Sequence, residues 1–325
     1  MAKAILIHQT GGPEVLRWED VDVGAPRSGE ARLSQTAVGL NFVDTYFRSG
    51  LYPAGKLPTV IGTEGAGVIT ELGADVSEFQ IGDRVAYAGG PLGSYAEQRL
   101  MPADRLIKLP DTVDDRQAAA VMLKGLTTQY LLRSSYEVQP GDTILIHAAA
   151  GGVGLLVCQW AKHLGATVIG TVSTEEKAAL ARSHGCDHPV LYGRENFVER
   201  VRDLTGGEGV PVVYDSVGRD TFQGSLDCLR PLGLMVTFGQ SSGAVPPMAV
   251  HELTSRGSLF LTRPTLATYT ATREALIANA AELFGVIDQG VVKVEIHQTY
   301  ALADATRAHR DLEGRKTTGA TVLIP

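Results

Sequence analysis

Short apolar runs separated by turn residues fill the first third of the chain. Residues 31–38, 65–72 and 83–87 alternate apolar with polar positions or are rich in β-branched side chains, and glycine, proline or aspartate stands between such runs. Many short strands with turn signals between them are typical of a barrel-like β domain. We therefore expect a β domain from the N-terminus to about residue 125.

From about residue 116 the pattern becomes helical and then alternates regularly. Six strand-like runs follow one another, separated by helix-length segments, over 143–147, 167–172, 189–192, 211–215, 233–239 and 258–262. Between the first three runs, helices are expected over 154–164 and 175–184, the second with apolar positions three and four residues apart. This alternation predicts an α/β fold with a doubly wound parallel sheet of the Rossmann type.

The end of the chain contains a helix-length stretch, 272–289, and two further strand candidates, 291–296 and 320–324. A β domain interrupted by a complete α/β domain is the simplest account of this order, with the tail returning to the β domain. The predicted segments are a β domain over 1–125, an α/β domain over 126–265, and a return to the β domain over 266–325.

Composition and charge exclude several classes of protein. The 325 residues carry 29 Lys+Arg against 36 Asp+Glu, a net charge of −7, and no basic cluster that would neutralise nucleic-acid phosphates. The three cysteines, Cys158, Cys186 and Cys228, lack the spacing of a disulfide scaffold or a zinc lobe. We therefore expect a reducing, cytoplasmic setting. No apolar run approaches the roughly 20 residues that span a bilayer, so no membrane association is expected.

The strongest chemical signal is a glycine-rich turn after the first strand of the alternation. Residues 147–154 read His-Ala-Ala-Ala-Gly-Gly-Val-Gly and stand between a strand and a helix, as a dinucleotide-binding loop does. Gly151 would let the backbone approach a pyrophosphate, and Gly154 would let the helix pack closely on the strand. Ala149 occupies the first glycine position of this fingerprint, which is tolerable if the turn needs no positive φ there.

The residues after the second strand favour NADP over NAD. An NAD site usually places a carboxylate at this strand end to bind the ribose hydroxyls, whereas this chain has Ser173 and Thr174. Lys177, one turn into the next helix, could reach a 2′-phosphate. Glu175 and Glu176 leave an alternative open, because either could turn inward rather than belong to a solvated first turn.

These residues belong to a longer pattern that resembles a known family. Residues 141–154 read Gly-Asp-x-x-Leu-x-x-x-Ala-Ala-Gly-Gly-x-Gly, followed by Gln159 and Lys162. This stretch is similar to the signature of the zeta-crystallin-like NADPH:quinone oxidoreductases, zinc-free members of the medium-chain dehydrogenase/reductase superfamily. Further matching segments are 11–16, 41–53, 82–85, 213–218 and 319–325. The resemblance implies a GroES-like catalytic domain beside a Rossmann domain, with the nicotinamide in the cleft between them.

The resemblance also implies which residues bind NADPH. Ser173, Thr174, Lys177 and Tyr192 would hold the 2′-phosphoadenosine end, and Gly152 and Val153 would join Gly151 at the pyrophosphate. The other implied contacts are Asn41, Asp44, Tyr46, Thr127, Tyr130, Ser216, Phe238, Gly239, Gln240, Ser241, Arg263 and Thr317. Gln240 departs from the asparagine expected there.

The residues at the metal positions of related enzymes decide the expected chemistry. Zinc alcohol dehydrogenases of this superfamily use a cysteine, the histidine of Gly-His-Glu, and a later cysteine or aspartate. Thr63 stands at the histidine position and Asn41 at the first cysteine position. We therefore expect no zinc, and alcohol oxidation would lack the metal that polarises the oxygen.

A quinone needs no such metal, because it is already an electron acceptor and its reduced oxygen can be protonated by water. The protein must chiefly hold the nicotinamide against the ring. We therefore expect NADPH-dependent reduction of quinones. Asn41, Tyr46, Tyr52 and Arg263 are the polar groups that would orient the carbonyl, with no acid or base assigned.

Two other functions stay open on the sequence. An NADPH-dependent alkenal or enone reductase would use the same scaffold, with Tyr46 or Tyr52 as a proton donor. A crystallin-like protein that binds nucleotide or RNA without catalysis is disfavoured by the net charge and the intact loop.

The run 258–262 predicts how the chain assembles. It would form the outer strand of the α/β sheet, and it is apolar without a guarding lysine or proline. An exposed edge of this kind usually needs protection. We therefore expect it to pair with its copy in a homodimer.

Overall fold

The computed structural model describes all 325 residues, and the chain forms two compact units. Unit 1 comprises residues 1–126, 270–284 and 294–325, and unit 2 comprises residues 127–269 and 285–293. The stretch 285–293 differs from the expected return to the β domain. It packs with unit 2 because the side chain of Gln159 hydrogen-bonds the backbone N–H of Lys293 at 2.8 Å and its carbonyl at 3.4 Å.

The chain contains sixteen strands and ten α-helices. The strands are β1 (Ala2–Ile7), β2 (Leu16–Val21), β3 (Glu30–Leu40), β4 (Thr59–Val60), β5 (Glu64–Leu72), β6 (Arg84–Ala88), β7 (Gln98–Pro102), β8 (Ile107–Lys108), β9 (Thr143–Ile146), β10 (Thr167–Val172), β11 (His188–Leu191), β12 (Val210–Asp215), β13 (Leu229–Thr237), β14 (Phe260–Thr262), β15 (Ile296–Ala301) and β16 (Ala320–Ile324). The helices are α1 (Phe42–Ser49), α2 (Asp115–Tyr130), α3 (Gly152–His163), α4 (Glu175–Ser183), α5 (Phe197–Leu204), α6 (Phe222–Asp227), α7 (His251–Ser255), α8 (Leu266–Tyr269), α9 (Arg273–Asp288) and α10 (Ala305–Glu313). None of these helices has both the length and the apolar character needed to cross a membrane.

Unit 1 is built mainly on antiparallel strands. Its larger sheet has the order β15-β16-β3-β5-β6-β8 with β7 paired to β3, and a smaller sheet has the order β2-β1-β4. Strand β3 ends at Leu40, which pairs opposite Thr321 of β16. The residues that precede β16, including Thr317, therefore lie at the end of β3 where Asn41 follows.

Helix α1 is bounded by local sequence signals. Asn41 precedes it in an extended conformation, and the carboxylate of Asp44, three residues on, accepts the backbone N–H of Asn41 at 2.9 Å. The Asn41 side chain accepts from the backbone of Asp44 in return, and this reciprocal pair is a capping box. At the other end Gly50 has a φ of 83°, a conformation that glycine adopts without steric cost.

Unit 2 contains a six-stranded sheet in the order β11-β10-β9-β12-β13-β14, with every pair parallel. This confirms the predicted α/β class and the doubly wound parallel sheet. The strand order reverses between β9 and β12, and ligands of such sheets bind at this point, outside the carboxyl ends of the strands. The glycine-rich turn follows β9, and Ser216 follows β12.

Three predicted boundaries differ from the structure. Helix α3 begins at Gly152, two residues before its predicted start, so the last residues of the glycine-rich segment belong to the helix. Strand β14 begins only at Phe260, because Ser258 has a φ of 58°, outside the extended range. The predicted strand over 291–296 is wrong, since its first residues pack with unit 2 and β15 begins only at Ile296.

Candidate cofactor site and active site

The glycine-rich turn is a tight passage from β9 to α3. A Cβ at Gly154 would lie 2.3 Å from the carbonyl oxygen of Ala148, so only glycine fits there. The positive φ of the turn, 56°, falls on Ala148, so Ala149 needs no special conformation. The methyl group of Ala149 packs against Gly170 of β10, where a Cβ would lie 2.5 Å away from it. The absence of a side chain at Gly170 therefore compensates for the alanine in the fingerprint.

The N-terminus of α3 fits an anionic group. The helix has twelve residues, Gly151 is its N-cap, and its first turn contains Gly152 and Val153 but no acidic residue. The first N–H groups of a helix lack partners within the helix, and the helix dipole places positive potential there. The N–H of Gly151 donates to the carbonyl of Ala148 at 2.8 Å. Gly152 and Val153 therefore supply the backbone donors of a glycine-rich cradle at the carboxyl edge of the sheet.

The residues predicted for the 2′-phosphoadenosine end lie together at the ends of β10 and β11. Thr174 caps α4, because its hydroxyl oxygen accepts the backbone N–H of Lys177 at 3.3 Å. Tyr192 follows β11, and its N–H donates to the carbonyl of Val172 at 3.3 Å. Its side chain is 45% exposed. Ser173 follows Val172 directly, so all four predicted residues share one edge of unit 2.

The two acidic residues of the first α4 turn have local partners. Glu175 pairs with the guanidinium of Arg194 at 2.9 Å. Glu176 hydrogen-bonds Thr174, which lowers the pKa of the glutamate. Both contacts favour the solvated first turn among the two alternatives. Sequence reasoning missed Arg194, which adds a second cation at this edge and whose partner lies 19 residues away.

Two loops that follow β12 and β13 come together on the nicotinamide side predicted from the sequence. The backbone N–H of Ser241 donates to the carbonyl of Ser216 at 3.1 Å. Gly239 packs so closely that a Cβ there would lie 2.6 Å from the same carbonyl oxygen. Arg263 donates to the carbonyls of Thr237 and Gly239 at 2.9 and 3.1 Å. Its guanidinium thus anchors the second loop.

The second loop also contains Phe238 and Gln240 and an unsatisfied polar atom. The N–H of Phe238 donates to the carbonyl of Asp215 at 2.8 Å, and the carbonyl of Gln240 accepts from Gly243 at 2.9 Å. The hydroxyl oxygen of Thr237, at the end of β13, is buried without a hydrogen-bond partner. Buried polar groups are normally paired, so this hydroxyl is a place for a polar ligand atom. Together with the glycine cradle, it makes unit 2 fit a dinucleotide.

Thr127 and Tyr130 occupy the last turn of α2, which belongs to unit 2. The Tyr130 ring stacks on Tyr269, with centroids 4.5 Å apart and planes 7° apart. Burial raises the pKa of the Tyr130 hydroxyl well above its usual range, against the opposing hydrogen bond with Thr127. The hydroxyl of Tyr269 lies 3.0 Å from that of Ser135. Sequence reasoning missed Tyr269, because nothing local marks a stacking partner.

In unit 1, Asn41 is buried between β3 and α1. Its amide nitrogen donates to Glu64 at 2.7 Å. The same Glu64 oxygen accepts from the Lys124 ammonium at 3.0 Å, and the other accepts the backbone N–H of Leu123 at 2.6 Å. A buried ion pair therefore holds the amide of Asn41. The sequence favoured Lys124 as a surface residue, and this is wrong, because its side chain is buried against Glu64.

Asp44 lies directly beneath Asn41 and is fully buried. Its carboxylate accepts from the backbone of Asn41 at 2.9 Å, the hydroxyl of Thr63 at 2.9 Å and the hydroxyl of Tyr95 at 3.1 Å. Burial raises the pKa of Asp44 to about 7, against the opposing hydrogen bonds and the charge of Lys124. Asp44 therefore holds Asn41, Thr63 and Tyr95 in place.

The two positions at which zinc relatives carry ligands are engaged in these hydrogen bonds. Thr63 donates to Asp44, and Asn41 donates to Glu64. The structure contains no group of three or more His, Cys, Asp or Glu side chains arranged to hold a metal ion.

Tyr46 and Tyr52 form an aromatic pair on α1 and the loop that follows it. Their ring centroids lie 5.2 Å apart in an edge-on arrangement, and the N–H of Tyr52 donates to the carbonyl of Tyr46 at 3.0 Å. Phe42 and Phe47 pack against them. The predicted substrate residues Asn41, Tyr46 and Tyr52 thus belong to unit 1, together with Thr317, whereas Arg263 belongs to unit 2.

A buried chain of side chains leads away from Asp44. The guanidinium of Arg48 lies 3.0 Å from Nδ1 of His309, and Nε2 of His309 lies 2.9 Å from the hydroxyl of Tyr95. Because arginine only donates, His309 accepts at Nδ1 and donates from Nε2, and Tyr95 donates to Asp44. Burial, reinforced by the charge of Arg48, lowers the pKa of His309 to about 3, so the ring is neutral.

Comparison with known proteins gives matches over the whole chain. Residues 27–111 match the alcohol dehydrogenase GroES-like domain, and residues 152–278 match the zinc-binding dehydrogenase family. A quinone oxidoreductase of Pseudomonas aeruginosa is 55% identical over 325 residues, with 100% of both chains covered. A 2-haloacrylate reductase of a Burkholderia species is 49% identical over 331 residues, with 100% of this chain and 99% of that protein covered. The crystal structure of Escherichia coli quinone oxidoreductase complexed with NADPH has a TM-score of 0.98 and 49% identity, with 100% of both chains covered.

Proposed function

Because the chain belongs to the quinone oxidoreductase family of the medium-chain dehydrogenase/reductase superfamily, we propose that it reduces quinones with NADPH. The observation that carries the proposal is the carboxyl edge of unit 2. There a glycine cradle for a pyrophosphate stands beside a strand end that offers Lys177 and no unpaired carboxylate. NADPH, when bound, supplies the reducing equivalents.

The cofactor residues divide by the part of NADPH that each would hold. Lys177 would pair with the 2′-phosphate, with Ser173 and Thr174 as hydroxyl donors and Tyr192 against the adenosine. The backbone N–H groups of Gly152 and Val153 would hold the pyrophosphate, and Gly151, which has no side chain, would let it approach the backbone. Ser216, Phe238, Gly239, Gln240 and Ser241 would line the ribose and nicotinamide side, with Thr127 and Tyr130 on the opposite wall.

The unit 1 residues would serve the substrate. Asn41 caps α1, Tyr46 lies on it, and Tyr52 packs against Tyr46 from the loop that follows. Because Asp44 and Glu64 fix the start of this helix, these polar groups can orient a carbonyl with little loss of side-chain freedom. We propose that no zinc takes part, because Thr63 and Asn41 are engaged with these carboxylates. A reduced quinone oxygen is a phenolate, and because a phenol has a pKa of about 10, water can protonate it at neutral pH.

A second candidate is reduction of a carbon–carbon double bond conjugated to a carbonyl or carboxylate. The 49% identity with a 2-haloacrylate reductase favours it specifically. This reaction needs a proton at the carbon next to the carbonyl, and Tyr46 or Tyr52 is the side chain that would donate it. The two candidates share the cofactor residues and differ in the demand for a proton donor.

Parallel assays of NADPH oxidation would separate these candidates. We expect turnover with 9,10-phenanthrenequinone and with a naphthoquinone, and at most slow turnover with a short enone or 2-chloroacrylate. Quinone reduction no faster than without enzyme would contradict the first candidate. Turnover of the conjugated alkene alone would establish the second, and NADPH binding without turnover of either would favour a non-catalytic role.

We also propose that the chain forms a homodimer and works in the cytoplasm. Strand β14 pairs only with β13, and its residues Phe260 and Leu261 are 59% and 40% exposed. A second copy paired along this edge would cover them and satisfy the open backbone groups. All three cysteines are buried free thiols, which supports a reducing compartment.

A further inference from the structure

Beneath the cofactor edge of unit 2, His147 lies in the middle of a buried chain of hydrogen bonds. It follows β9 and is 1% exposed. Its Nδ1 lies 2.9 Å from the hydroxyl of Thr171, and its Nε2 lies 2.9 Å from that of Ser225. The Ser225 hydroxyl in turn donates to Asp215 at 2.8 Å. The imidazole ring therefore contacts β10 directly and the end of β12 through Ser225 of α6.

The carboxylate of Asp215 sets the direction of every bond in this chain. It also accepts the backbone N–H groups of Val217 and Gly218 at 2.7 and 2.9 Å and the hydroxyl of Thr221 at 2.7 Å. Since Ser225 donates to this carboxylate, its oxygen accepts from Nε2 of His147. Nδ1 then accepts from Thr171. Burial lowers the pKa of His147, in agreement with a neutral ring that donates at one nitrogen and accepts at the other.

Hydrogen bonds connect this chain to three segments that we assign to NADPH. Thr171 lies at the adenosine end, and its carbonyl accepts the N–H of Ala149 in the glycine-rich turn at 3.0 Å. Val217 follows Ser216, and its carbonyl accepts the N–H of Ser242 in the loop after β13 at 2.9 Å. The ring of His147 thus links the adenosine end, the pyrophosphate turn and the nicotinamide-side loops without itself reaching a ligand.

We propose that His147 is a positioning residue for NADPH, which acts through Thr171 and Ser225 to hold the cofactor loops at their binding spacing before the cofactor arrives. The inference rests on the proposed use of NADPH. A site whose loops are already ordered loses less conformational entropy on binding. Loss of the chain should therefore weaken binding of NADPH and NADH equally, because no contact with the 2′-phosphate is removed.

The test compares dissociation constants for NADPH and NADH in His147→Phe, Ser225→Ala and the double variant, measured well below each melting temperature. His147→Phe keeps an aromatic ring against Phe197, whose centroid lies 5.1 Å away, and removes both hydrogen bonds. Each single variant should weaken both nucleotides about tenfold, with the NADPH/NADH ratio unchanged. Because both changes break the same chain of hydrogen bonds, the double variant should bind the nucleotides nearly as tightly as the single variant with the lower affinity. His163→Gln, at the exposed end of α3, is the matched control.

Steady-state kinetics add a readout that a purely structural role would not produce. The KM for NADPH should rise while kcat at saturating NADPH stays near the wild-type value. Unchanged dissociation constants in the single variants, or fully additive losses in the double variant, would overturn the inference. If His147→Phe fails to fold, Ser225→Ala and Thr171→Val carry the same test. Absence of NADPH binding by the wild-type protein would instead overturn the proposed function, and the inference with it.

Discussion

We propose that a preference for NADPH over NADH depends chiefly on Lys177. It lies one turn into α4 at the adenosine end, and the neighbouring Glu175 is paired with Arg194. We expect Lys177→Ala to weaken NADPH binding about tenfold, or about 1.4 kcal/mol, since a charge-assisted contact with the 2′-phosphate is lost. NADH binding should not change, because NADH has no such phosphate.

Fluorescence titration with both nucleotides checks this expectation. Lys293→Ala, an exposed lysine of unit 2, is the control for a general change of charge. An equal loss of affinity for NADPH and NADH would show that Lys177 stabilises the loop and does not bind the 2′-phosphate.

At the level of elements, β10 and the turn after β9 pack closely because a glycine in the strand faces an alanine in the turn. Gly170 of β10 faces Ala149, and a Cβ at Gly170 would lie 2.5 Å from the Ala149 methyl and 2.7 Å from Sγ of Cys186. Gly170→Ala should therefore overpack this contact and lower the free energy of unfolding by about 1–3 kcal/mol. The displaced turn should also raise the KM for NADPH.

The double variant Ala149→Gly/Gly170→Ala tests the cause, because it removes the methyl group that the new one would meet. Urea unfolding should show partial recovery, since the contact with Cys186 remains. No recovery at all would mean that the pairing of these two residues does not set the geometry of the turn.

Helix α1, which carries candidate substrate residues, is held in place by a chain of buried side chains. Asp44 at its start is linked through Tyr95 and His309 to Arg48 at its end, and Arg48 pairs with Glu313 at 2.7 Å. Because arginine does not release its proton, this chain does not pass protons to the surface. Its effect is to fix α1, and with it Asn41 and Tyr46.

For the whole molecule, the buried titratable groups predict how stability depends on pH. The pKa of His309 is about 3 in the folded protein against an ordinary value of 6.5, so the unfolded chain binds more protons between these values. The free energy of unfolding then rises with pH across that window, by about 1.4 kcal/mol per pH unit for one proton. Asp44 opposes this between pH 3.8 and about 7, because there the folded protein binds the extra proton.

Urea unfolding of wild type, His309→Gln and Asp44→Asn between pH 4.5 and 6.5 measures these contributions. The slope of the free energy of unfolding against pH should decrease by about 1.4 kcal/mol per pH unit in His309→Gln, the value for one proton. In Asp44→Asn it should increase by the same amount. His163→Gln, which changes an exposed histidine, should leave the slope unchanged. Equal slopes in the wild type and both buried variants would contradict the assigned protonation states.

The dimer prediction also belongs to the whole molecule. Sedimentation at micromolar concentration should give twice the chain mass of 34.5 kDa. Leu261→Lys should give the monomer mass, because a lysine on an edge strand opposes pairing with a second copy. Ile277→Lys, an exposed apolar position on α9, is the matched control and should remain dimeric. A wild-type mass near 34.5 kDa would refute the prediction.

Much of this molecule was predictable from local and periodic signals. The alternation of strand and helix patterns predicted the parallel sheet of unit 2, and the motif over 141–154 predicted the family, both of which are confirmed. The NADPH assignment followed from a strand end that carries Lys177 and no carboxylate. Such signals are readable because a strand, a turn or a capped helix is specified by residues close together in the chain. The individual site residues stay predictions.

The polar networks could not be read in this way. Tyr95 reaches Asp44 across 51 residues, His309 reaches Tyr95 across 214, and Ser225 reaches His147 across 78. A hydrogen bond between distant side chains leaves no periodic pattern, because any of many hydroxyl, imidazole or carboxylate groups could be its partner. Pairing in sheets and packing of helices bring these groups together, and burial then makes their pairing obligatory. The order of residues therefore determines the fold and indicates the class of cofactor, whereas the supports of Asn41 and of the proposed cofactor loops arise only when the chain is folded.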